Sequence, residues 1–242
     1  MATIGARTFN LIEDKYLTLA NEEYLRPLSL GNNWTKLRLG AMLAITPDAA
    51  NNLTNCSLLL GVASAASPFA NTTGYSTGTT KNYVGLDIVP DGGGGSGPGL
   101  FTYYATGGNP YFSATYAAAR RRVVTTDTFA SVAMNHAVAT HTGTIQRRTP
   151  VYVDITKGSP NYTLKLYTAT SVQAQADFAP ADFLNGLEQS GTPVLGSVTL
   201  SASSAISIAC DETAGGFDTV SLFWNRASFP LEVYILAAFR MA

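Results

Sequence analysis

Between residues 34 and 45 the chain alternates with a period of two: Leu37, Leu39, Ala41, Leu43 and Ile45 fall on one face, Lys36, Arg38 and Gly40 on the other. Successive side chains of an extended chain point to opposite sides, so the pattern predicts a half-buried β-strand. Pro47-Asp48 and Asn51-Asn52 end it. Further apolar runs at 56–63, 83–89 and 100–105 are each bounded by Gly, Pro, Asn or Ser and predict three more strands. Val151, Val153 and Ile155 alternate with Tyr152 and Asp154. Beyond Gly158-Ser159-Pro160, Tyr162, Leu164 and Leu166 alternate with Thr163, Lys165 and Tyr167. These two runs predict a hairpin. Residues 198–200 and 205–210 flank a serine-rich turn at 201–204 and predict another.

At the end of the chain, residues 217–225 and 231–240 are joined across Ala227, Ser228, Phe229 and Pro230. Leu231, Val233, Ile235 and Phe239 are expected on one face of the last strand, where burying four such side chains contributes roughly 6–12 kcal/mol before entropy is subtracted. Glu232 and Arg240 are expected opposite them, facing solvent or a neighbouring chain. One short helix is predicted near 180–189. Pro180 suits its first position, Asp182 lies in its first turn, Phe183 and Leu187 are four apart, and Gly191 follows its end. A lone helix among strands suits a connection that caps a sandwich.

Residues 91–99, dominated by glycine, predict a loop tip. A phosphate cradle needs Lys-Ser/Thr and a helix after its glycines, and here the aromatic strand Leu100-Phe101-Thr102-Tyr103-Tyr104 follows instead. Residues 1–33 fit neither period: Leu11, Ile12, Tyr16, Leu19, Tyr24 and Leu25 are interrupted by Glu13-Asp14 and Glu22-Glu23. Two readings stand, an N-terminal arm or anchoring segment that docks elsewhere, and an irregular strand with a short helix packed on its own domain. Residues 34–242 then form a single all-β sandwich domain.

Composition sharpens this picture. With 242 residues, 46% of them apolar, the chain has enough hydrophobic material for one sandwich and is not disordered. Charged residues make up only 13%, and 15 Lys+Arg nearly cancel 16 Asp+Glu. So sparse a charge suggests a surface covered by other copies, and the near-neutral balance excludes a general nucleic-acid binder. The N-terminus has no apolar core of the export type. The apolar run at 233–239 is far short of the roughly 20 residues that span a bilayer, so neither export nor membrane insertion is expected. Cys56 and Cys210 are expected as buried thiols, and Asn33, Asn52, Asn55, Asn71 and Asn161 begin Asn-x-Ser/Thr triplets without the secretory context that would give them meaning.

Candidate chemistry is thin. His136 and His141 are five apart, which places them on neither one helical face nor one strand face, and Asp127 is the nearest upstream carboxylate. Ser131 and Asp154 lack a Gly-x-Ser-x-Gly elbow, and Asp211, Glu212 and Asp218 suit a solvated loop better than a glycosidase pair. No enzyme activity, metal or cofactor is expected. Arg120, Arg121, Arg122, Arg147 and Arg148 are the only basic concentrations and suit a protein interface with an acidic patch, for which the carboxylates at 177–232 are a candidate. Tyr103, Tyr104 and Tyr111, with Asn109, gather beside the Gly-rich loop. Exposed rings next to amide side chains are what a sugar-binding surface uses, so these four residues are the candidate glycan site.

The many alternating strands, the late helix and the terminal segments Asp218-Thr-Val-Ser-Leu-Phe-Trp-Asn225 and Leu231-Glu-Val-Tyr-Ile-Leu-Ala-Ala-Phe-Arg240 resemble the concanavalin-A-like, jelly-roll sandwich family. The resemblance implies a jelly-roll-type antiparallel β-sandwich. In Ca-dependent members a cluster of Asp and Asn ligands supports the sugar site, and the sequence has no comparable grouping. The make-up rich in Ala, Thr, Gly, Ser and Asn also resembles tailed-bacteriophage virion proteins. That resemblance implies a structural or adsorption component of a virion, assembled in the host cytoplasm from copies of itself and other virion proteins. The alternative expectation is a carbohydrate-binding, lectin-like module that recognises host surface glycans.

Overall fold

In a computed structural model, which describes residues 2–4, 7–11, 17–19, 23–31, 33–45, 57–63, 83–89, 99–105, 121–124, 149–158, 161–169, 178–203, 205–209, 218–225 and 231–241, the first alternating segment becomes β5 (Lys36–Ile45). β10 (Thr149–Thr156) pairs with it antiparallel and sets Val151, Val153 and Ile155 opposite Ala41, Leu39 and Leu37. β11 (Asn161–Thr168) closes the predicted hairpin on β10, and β17 (Leu231–Met241) lies on the other side of β5. β2 (Arg7–Leu11) and β3 (Leu17–Leu19) pair with β17, β1 (Ala2–Ile4) pairs with β2, and β14 (Ser201–Ala202) and β15 (Ile206–Ala209) pair with β11. Together they form a nine-stranded sheet.

A six-stranded sheet faces it: β4 (Glu23–Ser29), β16 (Thr219–Asn225), β6 (Ser57–Ala63), β7 (Tyr83–Val89), β8 (Gly99–Ala105) and β9 (Arg121–Val124), in that order and all antiparallel. β7 lies against β10 and β11, and β8 against β15. The chain crosses between sheets from β3 to β4 to β5 to β6 and again from β15 to β16 to β17, the connectivity of a jelly-roll sandwich. The two terminal segments therefore occupy opposite layers. Within residues 1–33, read either as an arm or as an irregular strand and short helix packed on its own domain, the described residues supply β1 to β3 to one sheet and β4 to the other.

The single helix among the described residues, α1 (Pro180–Glu188), matches its prediction and covers the outer face of the larger sheet. This corrects the expectation that β5 is buried on one side only. Leu37, Leu39, Ala41 and Leu43 pack between the sheets, while Arg38, Gly40 and Met42 are also buried, beneath the helix. The second core joins Met42, Tyr152, Tyr167, Phe178, Phe183, Leu187, Leu195, Ile235 and Ala237. A third layer buries the polar-looking face of β5 from Arg38 to Met42 as well.

The last strand also departs from its expected facing. A β-bulge between Val233 and Ile235 sets Val233 opposite Leu43 but Ile235 opposite Met42. One extra residue flips the alternation. Val233, Leu236 and Ala238 thus follow the inter-sheet rows, and Ile235, Ala237 and Phe239 the rows under the helix, so the four apolar residues do not share a face. Arg240 is exposed and donates to the Leu30 carbonyl. The hairpin expected between 198–200 and 205–210 does not form either. β13 (Val198–Thr199) pairs with β12 (Val194–Leu195) around Gly196, whose φ of +59° suits a residue without Cβ, and β15 joins β11 instead.

The approach of helix and sheet makes a testable demand. Gly186 is inside α1, where alanine ordinarily gains up to about 1 kcal/mol. Here a Cβ would stand 2.6 Å from the Tyr152 Oη, which donates to the Phe183 carbonyl at 2.7 Å. Gly186→Ala is therefore expected to lower stability by about 1–3 kcal/mol in a urea titration, and a stabilised variant would show that the contact relaxes freely.

Candidate functional site

Register assigns each position of the six-stranded sheet to one of its two faces, because cross-strand partners share a face. Val220, Val62 and Val84 form one row with Tyr104, and Leu222, Leu60 and Leu86 form the next with Thr102 and Arg122. Val62, Val84, Val220, Leu60 and Leu222 are buried, so these are the rows toward the core. Tyr104 and Arg122 belong to them by position.

The alternate rows belong to the outer face. One runs Ser221, Gly61, Gly85, Tyr103, Arg121, and its neighbour runs Tyr24, Phe223, Leu59, Asp87, Phe101, Val123. Tyr103 from the candidate glycan set and Arg121 from the candidate interface set thus become direct cross-strand partners. Gly61 and Gly85 stand side by side in adjacent strands, and both are buried. Glycine inside a strand commonly marks close approach of a ligand or another backbone. Asp87 is the sole charged residue of β7 and stands one row away, opposite Phe101. Strands about 4.8 Å apart and residues two apart by about 6.8 Å put these positions within a patch of roughly 14 by 7 Å.

Of the other expected site residues, Asn109, Tyr111, Arg120, Arg147 and Arg148 lie outside the described residues, as do His136, His141, Ser131, Cys56 and Cys210. The structure therefore assembles part of the glycan set with part of the basic set. It adds Asp87, Phe101 and the Gly61–Gly85 pair, which the sequence reading passed over. A lone carboxylate in an otherwise apolar strand was the available signal for Asp87.

Asp154, weighed as a triad member, has a different position. Its carboxylate takes Arg38 Nε at 2.6 Å and Nη2 at 2.9 Å, while Nη1 donates to the Gly186 and Gln189 carbonyls at 3.0 and 2.6 Å and Nη2 also to the Gly191 carbonyl at 2.6 Å. All five guanidinium N–H groups are used. The Arg38 guanidinium stacks 5.1 Å from the Tyr167 ring centre. Burial, then the Asp154 charge, push the Tyr167 hydroxyl up from its ordinary value, with Arg38 opposing. Burial likewise pushes the Tyr152 hydroxyl up, so it remains a proton donor. This cluster is a structural clamp on the helix end. Among the described residues no group of three or more His, Cys, Asp or Glu is arranged to hold a metal ion, and no helix is long and apolar enough to cross a membrane.

No family model and no curated protein matches the chain. Solved structures to which it is similar include the VIP36 exoplasmic/lumenal domain in its Ca2+/Man2-bound form, at 10% identity and TM-score 0.47 over 99% of this chain and 84% of that one. Lectin I from Ulex europaeus, in complex with the methyl glycoside of α-L-fucose, is similar at 11% identity and TM-score 0.45 over 97% and 91%. The Emp46p carbohydrate recognition domain, potassium-bound form, is similar at 8% identity and TM-score 0.44 over 98% and 89%.

Proposed function

We propose that the protein is a carbohydrate-binding module that recognises surface glycans on the outer face of its six-stranded sheet and carries out no bond-making of its own. The observation that supports this is the register placing Tyr103 opposite Gly85, with Asp87 and Phe101 paired one row away on the same face. An aromatic ring offers a face to the C–H groups of a pyranose, and a carboxylate is an acceptor for its hydroxyls. The reading as a virion building block stands beside it on the sparse charge of the chain, and a glycan-binding adsorption component satisfies both.

The test is a glycan array followed by titration calorimetry on the best ligand. Tyr103→Ala is expected to weaken binding about threefold to tenfold with an unchanged melting temperature, the value of one ring contact. Tyr104→Ala, in the core-facing row, is expected to lower the melting temperature instead. A protein that binds no glycan, or one whose binding ignores Tyr103, refutes the reading.

A further inference from the structure

We infer that Asn185 is a modification site, an amide that deamidates spontaneously when α1 opens from the sheet and that the closed helix keeps latent. Asn185-Gly186 is the only Asn-Gly dipeptide in the chain. Glycine in second place leaves this chemistry least hindered, because no Cβ blocks the approach of its backbone nitrogen to the asparagine side chain. The Gly186 nitrogen attacks the Asn185 Cγ and closes a succinimide ring. The side-chain nitrogen leaves as ammonia, taking the proton that Gly186 gives up. Water then opens one of the two C–N bonds of the ring, adding hydroxyl to the carbonyl carbon and hydrogen to the nitrogen, and leaves aspartate or isoaspartate at position 185. Water is the only co-reactant, and nothing is oxidised or reduced.

Asn185 is exposed, so water and the leaving ammonia have free passage. What the closed helix withholds is the nucleophile. Within α1 the Gly186 N–H is directed along the helix axis to the carbonyl of the preceding turn, away from the Asn185 side chain. Gly186 is itself buried, close enough to the Tyr152 hydroxyl that a Cβ would stand 2.6 Å from it, and its carbonyl accepts from Arg38 Nη1 at 3.0 Å. Freeing the nitrogen requires unwinding this turn, which draws the carbonyl off Arg38. The contacts that hold α1 on the sheet therefore set the rate of a reaction on its outer side.

The product does not fit back. A carboxylate at position 185 stands three residues from Asp182 and three from Glu188, a spacing at which like charges on a helix repel. It also adds negative charge toward a helix end whose last turn has no basic residue of its own. The isoaspartyl form adds a methylene to the main chain and breaks the hydrogen-bond spacing of the helix. The modification thus runs one way: opening permits it, and it favours the open state, in which Gly40 and Tyr152 lose the cover of Phe183 and Leu187.

The experiment follows deamidation of the full chain at mildly alkaline pH by peptide mass mapping, both folded and in urea. Asn185→Gln, whose longer side chain disfavours ring closure, serves as the control for the assignment. The unfolded chain is expected to convert Asn185 readily, and the folded protein at least about tenfold more slowly. Arg38→Lys keeps a cation for Asp154 but loses the forked contacts to the helix end. It is expected to raise the folded rate about threefold or more and to leave the rate in urea unchanged. Should Arg38→Lys fail to fold, wild type in sub-denaturing urea takes its place, and conversion at Asn185 must accelerate together with hydrogen exchange of the α1 amides, ahead of global unfolding. A folded protein that converts as fast as the unfolded chain overturns the inference. So does a rate indifferent to loosening of the helix, or an unfolded chain that leaves Asn185 intact.

Discussion

Arg38→Ala is expected to lower the unfolding free energy by roughly 3–5 kcal/mol, the range found when one member of a buried ion pair is removed. Arg38 is fully buried and Asp154 nearly so, at 7% exposure. Truncating the arginine leaves a carboxylate in an apolar layer with no cation. It also strands the buried Gly186 carbonyl in the last turn of α1, whereas the carbonyls of half-buried Gln189 and exposed Gly191 can turn to water. The helix has no basic residue in its own last turn, so the cation that complements its negative end comes from β5. A urea titration monitored by far-UV circular dichroism checks the value, and a loss below about 1 kcal/mol would show the clamp to be dispensable. The double variant Arg38→Met/Asp154→Leu separates the two costs. Removing the orphaned charge should recover part of the loss, whereas the buried Gly186 carbonyl remains unpaired and keeps the double variant below wild type.

The same residue shows how far the sequence carries. The period of two at 36–45 locates β5 and tells which positions share a face, and it does so again at the β10–β11 hairpin; at β6, β7 and β8 apolar runs between turn residues locate the strands without assigning their faces. What lies over each face is a different matter. Arg38 and Asp154 look like solvent-facing letters because their partner layer, α1, is more than 140 residues from Arg38 in the chain. The bulge in β17 is hidden for a similar reason: Tyr234 looks like one more alternating residue, and only the fixed rows of β5 on the other side of the register reveal that it is extra. Val198 had an apolar partner available on either side, and the tight turn at Gly196 won.

For the candidate site the division is alike. Tyr103 was visible as part of an aromatic cluster next to a glycine-rich loop. Its meaning changes once β8 is paired, because Tyr103 and Tyr104 are neighbours in sequence yet belong to opposite faces. Gly61 and Gly85 are unremarkable singly. They become neighbours only when β6 and β7 align in register, and register between strands follows from which residues each sheet buries, not from spacing along the chain.

The packing of α1 on β5 leads to the second large effect. Phe183→Ala is expected to lower stability by about 3–5 kcal/mol, the usual range for deleting a fully buried phenylalanine, and to fall near the upper end. The ring stacks on Tyr152 with centroids 4.8 Å apart and planes 19° from parallel, and it sits over Gly40. Gly40 has no side chain to move into the vacated space, so the cavity collapses poorly. The reciprocal substitution makes this quantitative. In the wild-type background Gly40→Ala brings a Cβ to 2.8 Å from Leu187 Cδ2, 2.9 Å from Phe183 Cζ and 3.1 Å from Tyr152 Cδ1, and should cost about 1–3 kcal/mol. With Phe183 already truncated, one of those contacts is gone and the new methyl group partly fills the gap. The cycle of single and double variants should therefore be non-additive by about 1 kcal/mol or more, with the double variant more stable than the sum predicts. Strict additivity would mean that ring and glycine do not share the same space, and that α1 is held on the sheet chiefly by the arginine clamp.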